Sequence, residues 1–134
     1  MINSVMFLLQ LSGAIGILTN PLILLGIAAG TAVGIVFGAI PGFSATMTII
    51  LLTPVTIPFP PGLALIILIS AYGGAVYGGS IPAILINTPG APGSVVTCWG
   101  GYKLNQQGEA NYALAVSALL SGAAGILSAL MLFL

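Results

Sequence analysis

The sequence predicts an all-α, polytopic transmembrane protein with broken or re-entrant helices, and three observations carry that expectation. Only two of the 134 residues are charged, Lys103 and Glu109, where a soluble domain carries roughly 25%. Apolar runs of about twenty residues recur, long enough at about 1.5 Å per residue to cross a hydrocarbon core roughly 30 Å thick. Between and within those runs stand Pro-Gly pairs that no regular helix carries through.

The elements follow in order. Met1 to Leu18 is apolar but short, and Gln10, Ser12 and Gly13 interrupt it. It reads as a partial or tilted span or as an interfacial helix, and it lacks the basic start of a signal peptide. Asn20-Pro21 then gives a helix start, an Asn cap followed by proline at the first helical position. The first full span is expected over about 21–40, ending at Pro41-Gly42. Gly26, Gly30, Gly34 and Gly38 recur at every fourth position within it, which places them on one face. Such a face predicts close packing, with Gly30 and Gly34 against another helix rather than lipid.

The apolar stretch 43–54 is too short to span and predicts a half-helix. Pro54, Pro58, Pro60 and Pro61 bar a regular helix across the next connection. A second span is expected over about 62–86, interrupted by Gly73-Gly74, Gly78-Gly79 and Pro82. Val95 to Gly108 is the most polar stretch. A final span is expected over about 109–134, where Ala113, Ser117, Ser121 and Gly125 repeat small residues at four-residue spacing. The whole of 1–134 reads as a single transmembrane domain.

Composition also excludes functions. One Lys makes no basic patch, so nucleic acid is not a partner. The single Cys98 forms no internal disulfide, and its expected role is packing, as Trp99 is expected to anchor at the interface. With no His and one carboxylate, neither a metal cluster nor an acid/base pair can be built. Ser44, Ser80 and Ser94 have no neighbouring base that would activate a nucleophile. No catalytic residue is assigned, and the protein is not expected to be an enzyme. Ser80 is expected to bond back to its own helix.

Two places combine helix-breaking residues with side-chain oxygens inside apolar sequence. The first is Pro41-Gly42-Phe43-Ser44-Ala45-Thr46; the second runs from Asn87-Thr88-Pro89-Gly90 to Ser94, extended by Thr97. Irregular backbone at membrane depth survives only against protein or a water-filled cavity. A helix restarting there points unpaired N–H groups and its positive dipole end into the cavity, which suits a carboxylate. Carbonyls at a helix end, with Ser, Thr and Asn oxygens, suit Na⁺. The candidate binding set is therefore Pro41, Gly42, Ser44, Thr46, Asn87, Thr88, Pro89, Gly90 and Ser94. A coupling Na⁺ would fall at Ser44, Thr46, Asn87 and Thr88, with H⁺ the other coupling ion in view and no organic cofactor expected. The segment Asn87 to Gly93 is expected to be non-helical and buried. Pro-Gly pairs also mark plain water-exposed turns, and that alternative stays open at this point.

Several linked motifs carry a resemblance: the Gly-x-x-x-Gly helix, Ile40 to Met47 (IPGFSATM), Tyr77 to Ser80 (YGGS), Ala83 to Gly90 (AILINTPG) and Gly101 to Gly108 (GYKLNQQG). In this order they resemble the large membrane subunit of tripartite tricarboxylate transporters, the TctA family, from Pro21 onward. That subunit is several times longer, so the resemblance is to its N-terminal portion. The resemblance implies a multi-pass permease of the bacterial inner membrane built from inverted repeats. It implies symport of citrate-like carboxylates with a cation. A small membrane subunit and a periplasmic solute-binding protein would be the partners, and the Pro41 and Pro89 regions the substrate and ion loops. Gly100 stands where such proteins usually carry an acidic residue before Gly-Tyr, so no ionic role is assigned there. The competing reading is a non-transporting membrane scaffold or assembly subunit whose glycine stripes serve oligomer packing. A proteolipid-type rotor is a third, but it wants a carboxylate in mid-helix.

Overall fold

The computed structural model describes Gly13, Gly16 and residues 19–133. The expected partial span Met1 to Leu18 therefore lies, those two glycines apart, outside the described residues. All regular secondary structure among the described residues is helical. In chain order it comprises α1 (Pro21–Gly38), α2 (Ala45–Thr56), α3 (Pro61–Gly78), α4 (Ser80–Ile86), a 3-10 turn (Pro92–Ser94), α5 (Val95–Gln106) and α6 (Ala110–Phe133). Three stretches are long and apolar enough to cross a membrane: Pro21–Gly38, Pro61–Ile86 and Ala110–Leu132.

Local chemistry sets the boundaries. Asn20 Oδ1 accepts a bond from the Leu22 amide at 3.0 Å, with Pro21 at the first helical position. After α1, Gly42 adopts φ 82° and the Phe43 amide donates to the Ile40 carbonyl at 3.0 Å. Proline second and a positive-φ glycine third is the pattern of a type II turn. Phe37 and Phe43 stack across it with ring centroids 5.5 Å apart. Helix α2 begins at Ser44, whose Oγ accepts from the Met47 amide at 3.3 Å. It runs to Thr56, past the expected end at Pro54. Proline so near a helix end withholds only one intrahelical donor. The expected 62–86 span breaks at Gly79, between α3 and α4. Pro82 explains the break, because it cannot donate to the Gly78 carbonyl and its ring crowds that oxygen.

The glycine face of α1 meets α3 in register. An added Cβ at Gly30 would come within 2.6 Å of the Ile67 carbonyl, and at Gly34 and Gly38 it would collide with the backbone of Ala71 and Ala75. From the other side, Gly74 and Gly78 meet the carbonyls of Thr31 and Ile35. Contact positions rise together along both chains, so α1 and α3 are parallel. The chain between them must therefore travel back the length of a helix. At about 1.5 Å per residue, α2 covers only part of that return. The non-helical flanks 39–44 and 57–60 supply the rest. The segment 39–60, α2 included, therefore runs back along the helix pair.

Large and small residues are distributed inversely to a water-soluble fold. The buried hydrophobic positions are mostly alanine (Ala45, Ala71, Ala75, Ala83, Ala113), while Leu24, Leu25, Ile50, Ile69, Leu119 and Leu132 point outward. In lipid, burying aliphatics gains nothing, and small residues that let backbones approach drive packing instead.

The second break has a shape the sequence did not suggest. Helix α4 stops as Asn87 enters the left-handed region at φ 55°, a conformation Asn tolerates. The segment then doubles back, and the Gly90 amide donates to the Gly79 carbonyl at 3.1 Å. As a result α5 starts level with the α3–α4 break and runs parallel to α4. Gly101 packs on Ile84, and Asn105 Nδ2 donates at 2.8 Å to the Leu85 carbonyl that the end of α4 leaves free. The polar stretch from Val95 is thus largely helical. Helix α6 returns antiparallel to α4, tied to it by the Ser117 hydroxyl donating to Ser80 Oγ at 3.1 Å.

Candidate functional site

Folding back at both breaks brings the first turns of α2 and α5 to one place. They border an open cleft of about 1040 Å³, with α3, α4 and α6 forming its other walls. Its hydroxyls come from Ser44 and Thr46 on the α2 side and Ser94 and Thr97 on the α5 side. Tyr72, Tyr77 and Ser80 add theirs from α3 and α4, and Ser117, Ser121 and Ser128 from α6. No charged residue lines it; Lys103 and Glu109 are exposed elsewhere. Ser121 lies at the midpoint of the 110–132 span, so the cleft opens at mid-helix rather than at an end. It is therefore a neutral, hydroxyl-rich space inside an apolar molecule, bordered by the positive ends of two helix dipoles.

The hydroxyls are not equivalent. Ser44 is occupied as the cap of α2. Ser80 donates to the Tyr77 carbonyl at 2.6 Å, the back-bond expected of it, and accepts from Ser117. Ser94 stands apart. It is 5% exposed and occupies the N-cap position of α5 without making a capping bond. Its hydroxyl has no hydrogen-bond partner among the described residues, although it borders the cleft. Gly79 makes room for it, since a Cβ there would come within 3.0 Å of Ser94 Oγ. The hydroxyl opens onto the cleft, so it is free to bond a ligand there without giving up a bond within the protein.

Of the candidate set read from sequence, Ser44, Thr46 and Ser94 border the cleft, and the others do not. Pro41 and Gly42 form the exposed tight turn. Asn87 and Thr88 are exposed at the far end of α4, where Thr88 Oγ1 donates to the Ile86 carbonyl at 3.2 Å. Pro89 is half-buried on the returning segment. The expected burial of Asn87 to Gly93 is corrected accordingly: Gly90 is buried, but Asn87, Thr88, Pro92 and Gly93 are exposed. Pro92 and Gly93 also belong to a 3-10 turn rather than to irregular chain. The physical reason is that the extended return lets only its middle touch the helix pair. Gly90 is there for packing, with an added Cβ 2.5 Å from the Gly38 carbonyl and 2.7 Å from Gly79 Cα. A single Na⁺ site joining Ser44 and Thr46 to Asn87 and Thr88 is thereby split between cleft and surface.

Sequence reasoning passed over the α6 serines, taking Ser117 and Ser121 as part of a packing stripe. Only Ala113 of that stripe is buried; Ser121 and Gly125 are exposed and face the cleft. The available signal was their hydroxyl content on one face, continued by Ser128.

Comparison with known proteins agrees in extent with this architecture. The family model described as Tripartite tricarboxylate transporter TctA family matches residues 24–134. A relative from Agrobacterium vitis, described as an uncharacterized 52.8 kDa protein in the TAR-I ttuC' 3'region, is 46% identical over 103 residues. The match covers 77% of this chain and 20% of the relative, so the chain spans about a fifth of that protein's length. No solved structure matches the chain.

Proposed function

The chain belongs to the tripartite tricarboxylate transporter TctA family, and from that membership we propose that it forms one part of a longer multi-pass permease importing tricarboxylates or related small carboxylates. The observation that carries the site is the convergence of both helix restarts on one neutral cleft. In this reading a carboxylate is held by the first turns of α2 and α5 and by the hydroxyls of Thr46, Ser94 and Ser121, with no basic side chain. A co-transported cation, Na⁺ or H⁺, supplies the missing positive charge, bound within the cleft rather than at Asn87 and Thr88. The remaining permease completes the site, as mid-membrane sites between repeats require. The natural setting is the bacterial inner membrane, with a small membrane subunit and a periplasmic binding protein as partners.

The rival scaffold reading assigned the α1 glycine stripe to oligomer packing. That stripe is already occupied by α3 within the chain, so it is not free for a second copy.

The test is uptake of a labelled tricarboxylate by vesicles holding the complete permease and its partner subunits, with and without an inward Na⁺ or H⁺ gradient. Gradient-dependent uptake that falls roughly two- to tenfold in Ser94→Ala, at unchanged protein level, is the expected result. Uptake indifferent to both gradients and to Ser94 would sink the proposal.

A further inference from the structure

Glycines in this chain fall into two sets. At Gly30, Gly34, Gly38, Gly74, Gly78 and Gly90 an added Cβ would strike a neighbouring segment. At others it would meet nothing within 4 Å, Gly73 and Gly122 among them. Those two lie on the walls of a groove of about 430 Å³, Gly73 on α3 and Gly122 on α6, beside the cleft. Thr31, Ser70, Tyr77 and Ser121 also line it.

None of those four hydroxyls makes a hydrogen bond among the described residues, whereas Thr48, Thr53 and Thr56 all bond back to carbonyls of α2 and its cap. Lipid tails offer such groups no partner, and leaving them bare in hydrocarbon is costly. The groove is therefore built for an occupant that approaches closely over glycine and brings hydrogen-bonding groups of its own. The aliphatic face of α6, with Leu119, Leu127 and Leu130 exposed, could not supply them from a second copy.

We propose that this groove seats a transmembrane helix from the part of the complete permease lying outside this segment, one that carries a polar side chain or a freed carbonyl opposite Thr31 and Ser70. The inference rests on the reading that the chain is one part of a longer permease. A relative of which this chain spans 20% leaves four fifths of its length outside the match, and in this groove open glycines and unbonded hydroxyls stand side by side. Because groove and cleft share Gly73, Tyr77 and Ser121, the seated helix also borders the substrate space.

The experiment places a diazirine photo-crosslinking residue at Ala118, in the groove, within the complete permease in native membranes, and maps adducts by mass spectrometry. Adducts to the same polypeptide outside this segment are expected, and Gly122→Leu should reduce them severalfold while Leu127→Ala leaves them unchanged. Adducts to lipid alone, to a separate subunit, or to a differently tagged second copy would each overturn it. If Gly122→Leu fails to fold, the adduct pattern of the unsubstituted groove decides alone. Uptake is scored separately, so a permease that moves no carboxylate but shows the adduct would refute the transport reading and keep this one.

Discussion

At the scale of single residues, what an added methyl group meets decides how a glycine tolerates change. The four-residue spacing of Gly26, Gly30, Gly34 and Gly38 was legible in the sequence, but their unequal roles were not, because those depend on the partner helix. A Cβ at Gly26 would press on Leu63 Cδ1 at 2.9 Å, the end of a flexible side chain. At Gly34 it would run into the carbonyl, carbon and Cα of Ala71, none of which can move without shifting α3. Overpacking of that kind typically costs about 1–3 kcal/mol. Gly34→Ala should therefore destabilise the chain in detergent by about that amount, and Gly26→Ala by clearly less. Thermal denaturation of the two variants side by side checks the order. Equal losses would mean that α1 and α3 do not meet backbone to backbone.

Among the elements, the two breaks show where sequence reading stops. Composition announced both, since proline and glycine inside an apolar run interrupt the helix and hydroxyls beside them offer the freed backbone groups partners. Their consequences differ for reasons no local pattern holds. The first is a four-residue turn fixed by Pro41 and Gly42. The second is an extended return fixed by a three-way contact of Gly38, Gly79 and Gly90, residues far apart in sequence. That contact positions Ser94, so Gly90→Ala should dislodge the start of α5 while leaving helix content intact. Cys98 reports on it: the residue is 8% exposed and its thiol donates to the Ser94 carbonyl at 3.7 Å, one turn into α5. Maleimide labelling of Cys98 should be severalfold faster in Gly90→Ala, with an unchanged far-ultraviolet circular dichroism spectrum. Unaltered labelling would show that the second break is not held by this junction.

For the whole molecule, the governing feature is that the proposed anion site holds no charged side chain. Lys103, the one basic side chain, is exposed in the last turn of α5, and the cleft lies at the other end of that helix, where Ser94 and Thr97 stand. The helix dipole contributes roughly half a positive charge at its N-terminal end, and α2 and α5 both begin at the cleft. Each such end stabilises a nearby anion by about 0.3–1 kcal/mol when exposed and up to about 2 kcal/mol when partly buried. That falls short of what a multivalent carboxylate loses on leaving water, which is why the proposed carrier needs a co-transported cation. The consequence is a contrast between two substitutions in the complete permease. Lys103→Gln should leave the apparent affinity for substrate within about twofold, since at 0.15 M ionic strength charges beyond about 8 Å are largely screened. Thr46→Val combined with Ser94→Ala removes two donors from the cleft, each worth about 0.5–1.5 kcal/mol, and should weaken affinity roughly 5- to 150-fold. Its dependence on the cation gradient should steepen as well, because the cation then carries more of the anion's charge. Competition binding at fixed ionic strength, repeated across cation concentrations, separates the two. An indispensable Lys103 beside a silent Thr46 and Ser94 would place the anion outside this cleft and against the polar end of α5.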